Sequence, residues 1–406
     1  MNLNYLAFAV PLFLFFIGLE YYYSRRKGKG FYQYAESVAN LNVGIAERLL
    51  DVFTTGAFFY VFDFVHRHWA LFSISPGWFT WLLLFLATDL VWYWYHRLAH
   101  EINLFWSVHV VHHQSEDFNY TVSARITVLQ AVVRSLFWCV LPLIGFPAPM
   151  VTGLLLLHGL YPFFIHTQAI GRLGWLEYIL VTPSHHRVHH ASDAEYLDRN
   201  YGDVLIIWDK LFGTFAREDR APSFGLTKPL NSHSFLWQHF HFFLEMAMAF
   251  RHARGWRNKW RTVFGRPDDI DPRFRTLLER RLSNVKITRE LPAGLRQYIS
   301  AQTAVSLFLL FVTILFEAYL SGLQLFLLSA FIMMSLVNSG AMLDQRGWVF
   351  YLEFARLLIV LFAIGVFFRN GFISWSIMIL VSLLVYNFRP MEKKYLWLLY
   401  QHRRKR

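Results

Sequence analysis

Apolar runs long enough to cross a bilayer recur along this chain, separated by short polar connections and one long polar stretch. A spanning helix needs about 20 predominantly apolar residues. That rule predicts spans over residues 4–23, 47–65, 77–95, 127–145 and 149–166, then over 300–320, 322–340, 347–368 and 372–388. The second run is interrupted by Glu47, Arg48, Asp51 and Asp63, so a helix lying in the interface is its other reading. Nothing shows the alternating ten-residue segments of an outer-membrane barrel. The expected fold class is all-α: a polytopic integral membrane protein of about nine apolar helices, with a histidine-rich cytosolic cap that could bind two metals. Four segments follow: membrane helices over 1–76, a histidine-rich domain over 77–230, a basic cytosolic or membrane-surface segment over 231–299, and membrane helices with a basic tail over 300–406.

Composition agrees, since 55% of residues are apolar and only 16% charged, too little charge for a soluble domain of this length. The net charge of +12 comes from basic residues beside the apolar runs, without a nucleic-acid motif, so no nucleic-acid partner is expected. Arg25, Arg26, Lys27 and Lys29 follow the first run, whereas the connections at 66–76, 146–148 and 369–371 hold at most one Lys or Arg each. Positive loops stay inside. The amino terminus therefore faces outward, and His96–Arg125, the segment 167–299 and the tail Arg403-Arg404-Lys405-Arg406 face the cytosol. The first run lacks a basic n-region and a cleavage signal, so it is expected to remain as an anchor. Cys139, the single cysteine, excludes an intrachain disulfide and is expected to pack.

Eleven of the 18 histidines lie between residues 96 and 190. They form three clusters: His96 and His100; His109, His112 and His113; and His186, His189 and His190. Residues three or four apart share a helix face, and neutral imidazole is the commonest metal ligand, so these eight side chains can grip two metals at the cytosolic helix ends. His166 is a further candidate ligand, His158 a weaker one, and His185 adjoins a cluster. His66, His68, His233, His239, His241, His252 and His402 read as interfacial or solvated. Glu101 reads as a ligand, a partner for a ligand's free ring N–H, or an ordinary interfacial charge. Asp117, Asp203 and Asp209 are carboxylates of the same kind. Trp92-Tyr93-Trp94-Tyr95 reads as an aromatic belt. Pro183 sets a helix boundary, with Ser184 placed to cap a helix carrying the third cluster. Between Arg251 and Arg296, basic residues recur among Trp256, Trp260 and Phe264, as in a membrane-surface segment or a solvated basic loop.

The donor set narrows the chemistry. His100-Glu101-Ile102-Asn103-Leu104 lacks the second histidine of the zinc-protease H-E-x-x-H helix, Glu-x-x-His pairs for a ferritin-like di-iron site are missing, and zinc deaminases need cysteines. Imidazole alone does not name the metal. A pair of metals at the membrane boundary suits oxygen activation for attack on a lipid C–H bond, which redox-inactive zinc cannot perform; iron is the expected metal.

The stretches His96-Arg-Leu-Ala-His100-Glu101, His112-His113-Gln-Ser-Glu116-Asp117-Phe-Asn119, Thr182-Pro-Ser-His185-His186-Arg-Val-His189-His190 and Asn200-Tyr-Gly-Asp through Thr214 resemble the fatty acid hydroxylase and sterol desaturase superfamily, in its alkylglycerol monooxygenase branch. The resemblance implies a membrane di-iron enzyme that uses O2 to hydroxylate a lipid, in that branch at the carbon beside an ether oxygen, with tetrahydrobiopterin as reductant. It assigns the eight clustered histidines as ligands and matches Glu101 to a functional glutamate. Gln114 departs from the branch, where serine is usual, and Val122–Thr127 follows it poorly. Partners implied are a lipid substrate, O2 and an electron donor, at the bacterial inner membrane or endoplasmic reticulum. The same site would serve sterol, fatty-acid or carotenoid desaturation or hydroxylation; a metal transporter or a zinc lipid hydrolase are the readings from other classes.

Overall fold

A computed structural model describes residues 3–283, 290–368 and 370–400, and among these the regular structure is helical, with two isolated β-bridges, Leu180 to Leu205 and Ala191 to Phe224. The chain divides into two compact units.

One unit, 13–230 with 237–284, contains most of α1 (Ala9–Arg26), then α2 (Tyr34–Trp69), α3 (Trp78–Glu101), α4 (Asn103–His109), α5 (Gln130–Trp138), α6 (Val140–Ile144), α7 (Ala148–His158), α8 (Tyr161–Ile165), α9 (Pro183–His189), α10 (Phe235–His252, from Trp237 on) and α11 (Trp256–Phe264). Phe62 of α2, Leu84 of α3, Trp138 of α5, Leu141 of α6 and Val151 of α7 share one buried core. Cys139 packs against it, as expected. Gly145 is needed at its turn: φ is +132°, and a Cβ would stand 2.1 Å from the Phe72 carbonyl oxygen.

The other unit, 1–12, 231–236 and 285–406, holds α12 (Ala293–Leu315), α13 (Gly322–Leu343), α14 (Val349–Phe367), α15 (Gly371–Tyr386) and α16 (Phe388–Tyr400). One carboxylate ties three of them: Glu353 Oε1 accepts from Gln302 Nε2 (2.6 Å), Asn338 Nδ2 (2.6 Å) and Arg356 Nη1 (3.2 Å). Among apolar side chains, such a shared acceptor fixes helix order and rotation. His402 and the tail Arg403–Arg406 lie outside the described residues.

Among the described residues six helices are long and apolar enough to cross a membrane, or seven if α15 and α16, bent by 72°, make one broken span. This is fewer than the nine expected. The run at 127–145 divides into α5 and α6, of nine and five residues. The run at 77–95 becomes α3, 24 residues long, but Asp89 and its polar carboxy-terminal end lower its apolarity. The doubtful run at 47–65 belongs to the single 36-residue helix α2.

Candidate metal centre

Nine buried histidines gather into two adjacent groups. His96, His100, His109, His113 and His189 form one, and His112, His166, His186 and His190 the other, the nitrogens within each lying no more than 4.8 Å apart. Both groups draw on several clusters. The last two turns of α3 supply His96 and His100; α4 supplies His109; and the 3-10 turn Val110–His113 rotates His112 away from His113. Helix α9 sends His186 and His189 to different groups, and His166 enters just after α8. His113 and His190 stack with ring centres 4.4 Å apart across the boundary.

Hydrogen bonds on the outer ring nitrogens fix which nitrogen points inward. His112 Nδ1 faces the Arg125 carbonyl at 3.1 Å, His166 Nδ1 the Pro162 carbonyl at 2.5 Å, His96 Nδ1 the Tyr201 carbonyl at 2.8 Å and His189 Nδ1 the Arg199 carbonyl at 2.9 Å. A carbonyl only accepts, so each Nδ1 carries the proton and each Nε2 of the neutral ring is a bare lone pair. His112 and His166 therefore face each other through two lone pairs 3.2 Å apart, which repel unless a cation lies against both. His189 Nε2 is buried without a hydrogen-bond partner.

The spacing suits a metal. With metal–nitrogen bonds of about 2.1 Å, two nitrogens at a right angle stand about 3.0 Å apart, and at the tetrahedral angle about 3.4 Å. The inward Nε2 pairs are His96 to His109 at 3.1 Å, His100 to His113 at 3.1 Å, His109 to His113 at 3.2 Å, His166 to His186 at 2.9 Å and His112 to His190 at 3.0 Å. These separations fall between about the right-angle value and the tetrahedral one, so the nitrogens would suit neighbouring ligands of one ion. Burial holds His109 and His166 down to about 3, and burial together with neighbouring imidazoles keeps His112, His113, His186 and His190 well below the ordinary histidine range. All are neutral, as ligands must be.

The surroundings hold these rings still. Arg125, 1% exposed, donates to the Val111 carbonyl (2.6 Å), Asn40 Oδ1 (2.8 Å) and Gln114 Oε1 (2.7 Å), while its own carbonyl takes His112. Gln114, the departure from the branch pattern, is thus a partner of Arg125. Asp209 accepts from the Tyr201 and Gly202 amides at 2.7 and 2.8 Å and so aims the Tyr201 carbonyl at His96. A Cβ at Gly202 would stand 2.9 Å from Asp209 Oδ2 and 2.7 Å from the Leu205 carbonyl oxygen, which explains the glycine.

The other carboxylate candidates lie outside the two histidine groups. Glu101 does not meet a ring N–H; its Oε1 accepts from Arg97 Nε at 3.0 Å. Asp117 Oδ2 accepts from the Gln33 amide at 2.6 Å. Asp203 lies 2.8 Å from Nδ1 of His158, whose Nε2 is 2.9 Å from Asp89, forming a third buried group. Asp198, which the sequence did not single out, stands 3.5 Å from His100 Nδ1. It sits at φ +58°, and such a turn carries no spacing signal. His239 and His241 are buried rather than solvated, His241 Nδ1 lying 3.3 Å from the Gln238 carbonyl oxygen. Tyr93 and Tyr95 are buried too, Tyr93 Oη lying 2.9 Å from Thr214 Oγ1, so only part of the aromatic belt faces outward. Thr182 rather than Ser184 is the N-cap of α9, extended as the following proline requires. His185 Nδ1 accepts from the Thr182 amide at 3.3 Å, outside both groups.

The family model for fatty acid hydroxylase matches residues 81–214, a stretch that includes both histidine groups. Alkylglycerol monooxygenase of Homo sapiens is 35% identical over 369 residues, covering 88% of this chain and 82% of that protein. The protein of the same name from Danio rerio is 31% identical, with the same coverage of 88% and 82%. Ornithine lipid hydroxylase of Rhizobium tropici is 32% identical over 129 residues, 32% of this chain and 39% of its own. No solved structure matches the chain. The chain belongs to the fatty acid hydroxylase and sterol desaturase superfamily, in its alkylglycerol monooxygenase branch.

Proposed function

We propose that this chain is a membrane di-iron monooxygenase that hydroxylates a lipid C–H bond with O2, and that its substrate is an ether-linked glycerolipid. One observation carries the reading: inward Nε2 lone pairs in two adjoining buried groups, spaced as neighbouring ligands of a metal would be. The five-histidine group would hold one ion and the four-histidine group the other. Iron bound there supplies the redox chemistry that activates O2, which zinc does not. Overall, R–H, O2, two electrons and two protons become R–OH and water. Hydroxylation beside an ether oxygen gives a hemiacetal, which separates into an aldehyde and glycerol.

The chain's own part is to hold and to exclude. Backbone carbonyls of Tyr201, Arg125, Pro162 and Arg199 keep four imidazoles in the ligating tautomer. Burial of all nine rings keeps water from the reacting carbon. Glu101 at the rim holds Arg97, which also donates to Tyr93 Oη at 3.2 Å, and acts on the centre through that link. The electrons come from a soluble donor, tetrahydrobiopterin being the one that the branch implies, on the cytosolic side. The names of the alkylglycerol monooxygenase relatives support the ether-lipid substrate.

Purified protein reconstituted with iron and a reductant, given an alkylglycerol under 18O2, is expected to release a fatty aldehyde at the expense of the ether lipid. Turnover without oxygen would contradict the monooxygenase reading. Gain of one oxygen on an amino-acid lipid, with alkylglycerol untouched, would replace the substrate and leave the centre.

A further inference from the structure

Helix α11 is turned the wrong way round for water. Trp256, Trp260 and Phe264 recur every four residues along one face, and they are 73%, 58% and 49% exposed. Trp260 and Phe264 stack with ring centres 4.9 Å apart. The face turned away from these rings is the one tied to the protein: Asn103 Nδ2 donates to the Thr262 carbonyl at 3.2 Å, and the Asn103 amide to the Gly265 carbonyl at 2.9 Å. Basic side chains flank the aromatic face, Arg257 and Arg261 on one side and Lys259 on the other, with Lys259 Nζ 5.7 Å from the Trp256 ring centre. Arg261 is committed to Asp269 at 2.6 Å.

Nine residues are too few to span a bilayer. They are bonded to Asn103, which starts α4 just after the α3 turns that carry His96 and His100, so α11 lies beside the histidine groups. Directly after α11, Arg266, Pro267 and Asp268 line a cavity of about 300 Å³ whose wall includes His100, His113 and His189.

We propose that α11 seats its aromatic face in the leaflet beside the histidine groups, drawn there by anionic headgroups, so that the histidine-lined cavity opens at headgroup level. Exposed aromatics with flanking cations are the composition of an interfacial helix. This placement stands whether or not the reaction proposed above is correct.

Full-length Cys139→Ser protein carrying a nitroxide at Trp260→Cys, in nanodiscs with phosphatidylglycerol, is the test. The label is expected to be shielded from an aqueous nickel chelate and open to dissolved oxygen, whereas the same label at Arg217→Cys, a side chain 65% exposed, meets the chelate freely. Adding Arg257→Gln and Lys259→Gln lowers the equilibrium constant for seating roughly thirtyfold, and with it the shielding of the label. A label at Phe264→Cys gives the same readout if Trp260→Cys does not fold. Equal chelate access at 260 and 217 would overturn the proposal. So would label-to-label distances showing that a second chain covers the face.

Discussion

His166 and His158 lie eight residues apart around α7 and α8, yet their surroundings differ. His166 Nε2 stands 3.2 Å from His112 Nε2 and 2.9 Å from His186 Nε2, inside the four-histidine group. His158 is held between two carboxylates, 2.9 Å from Asp89 and 2.8 Å from Asp203. A four-ligand metal site is worth about 10–16 kcal/mol; shared evenly, one ligand accounts for about 3 kcal/mol. His166→Ala should therefore weaken the second ion roughly a hundredfold. His158→Ala removes no ligand of either group, but leaves the buried Asp89 and Asp203 carboxylates without their imidazole partner and should cost about 3–5 kcal/mol of stability. Iron per chain, measured after graded chelator competition, and the unfolding midpoint of the same samples separate the two. His166→Ala is expected to fall towards one ion per chain at a chelator level where the parent keeps two. His158→Ala is expected to keep both ions and unfold earlier. Undiminished iron in His166→Ala, or selective iron loss in a folded His158→Ala, would refute this division.

Asp198→Asn removes the carboxylate beside His100 Nδ1 and should weaken metal binding about 10–100-fold in the same chelator competition; unchanged retention would remove Asp198 from the site. Gly44→Ala would place a Cβ 2.6 Å from that of Ala124, next to the carbonyl that holds His112, and overpacking of this kind costs about 1–3 kcal/mol. A lowered unfolding midpoint is the expected sign. Metal-free protein should lose stability on acidification: His109 and His166 are pushed down to about 3, against 6.5 for a free histidine, so between those values the unfolded chain binds more protons. Stability from these groups is complete above about 6.5 and falls by up to about 1.4 kcal/mol per pH unit for each below it. A midpoint flat between about pH 7 and 5 after chelation would contradict the burial of neutral rings.

The three clusters were legible because a spacing of three or four residues on short helices is local geometry. Their division between two groups was not. His112 and His113 are adjacent in sequence, and only the 3-10 turn over Val110–His113 sends them to different places. His166 has no companion three or four residues away, so its membership depends on the bend after α8, where ψ turns to 62°. The carbonyls that fix the imidazole tautomers leave no side-chain signature, and Asp198 reaches His100 from a backbone at φ +58°. Hydropathy found the long membrane helices. It overcounted where Asp89 enters α3 to accept from the Val204 and Leu205 amides, and where one apolar run breaks into α5 and α6.

X-ray absorption at the iron edge, joined to metal analysis of the purified chain, bears most directly on the nine converging imidazoles. Two irons per chain in a nitrogen-dominated shell near 2.1 Å, with imidazole outer-shell scattering lost stepwise in His112→Ala and His189→Ala, is the expected result. A chain that folds normally yet binds one ion or none, or binds iron through oxygen ligands alone, would contradict it.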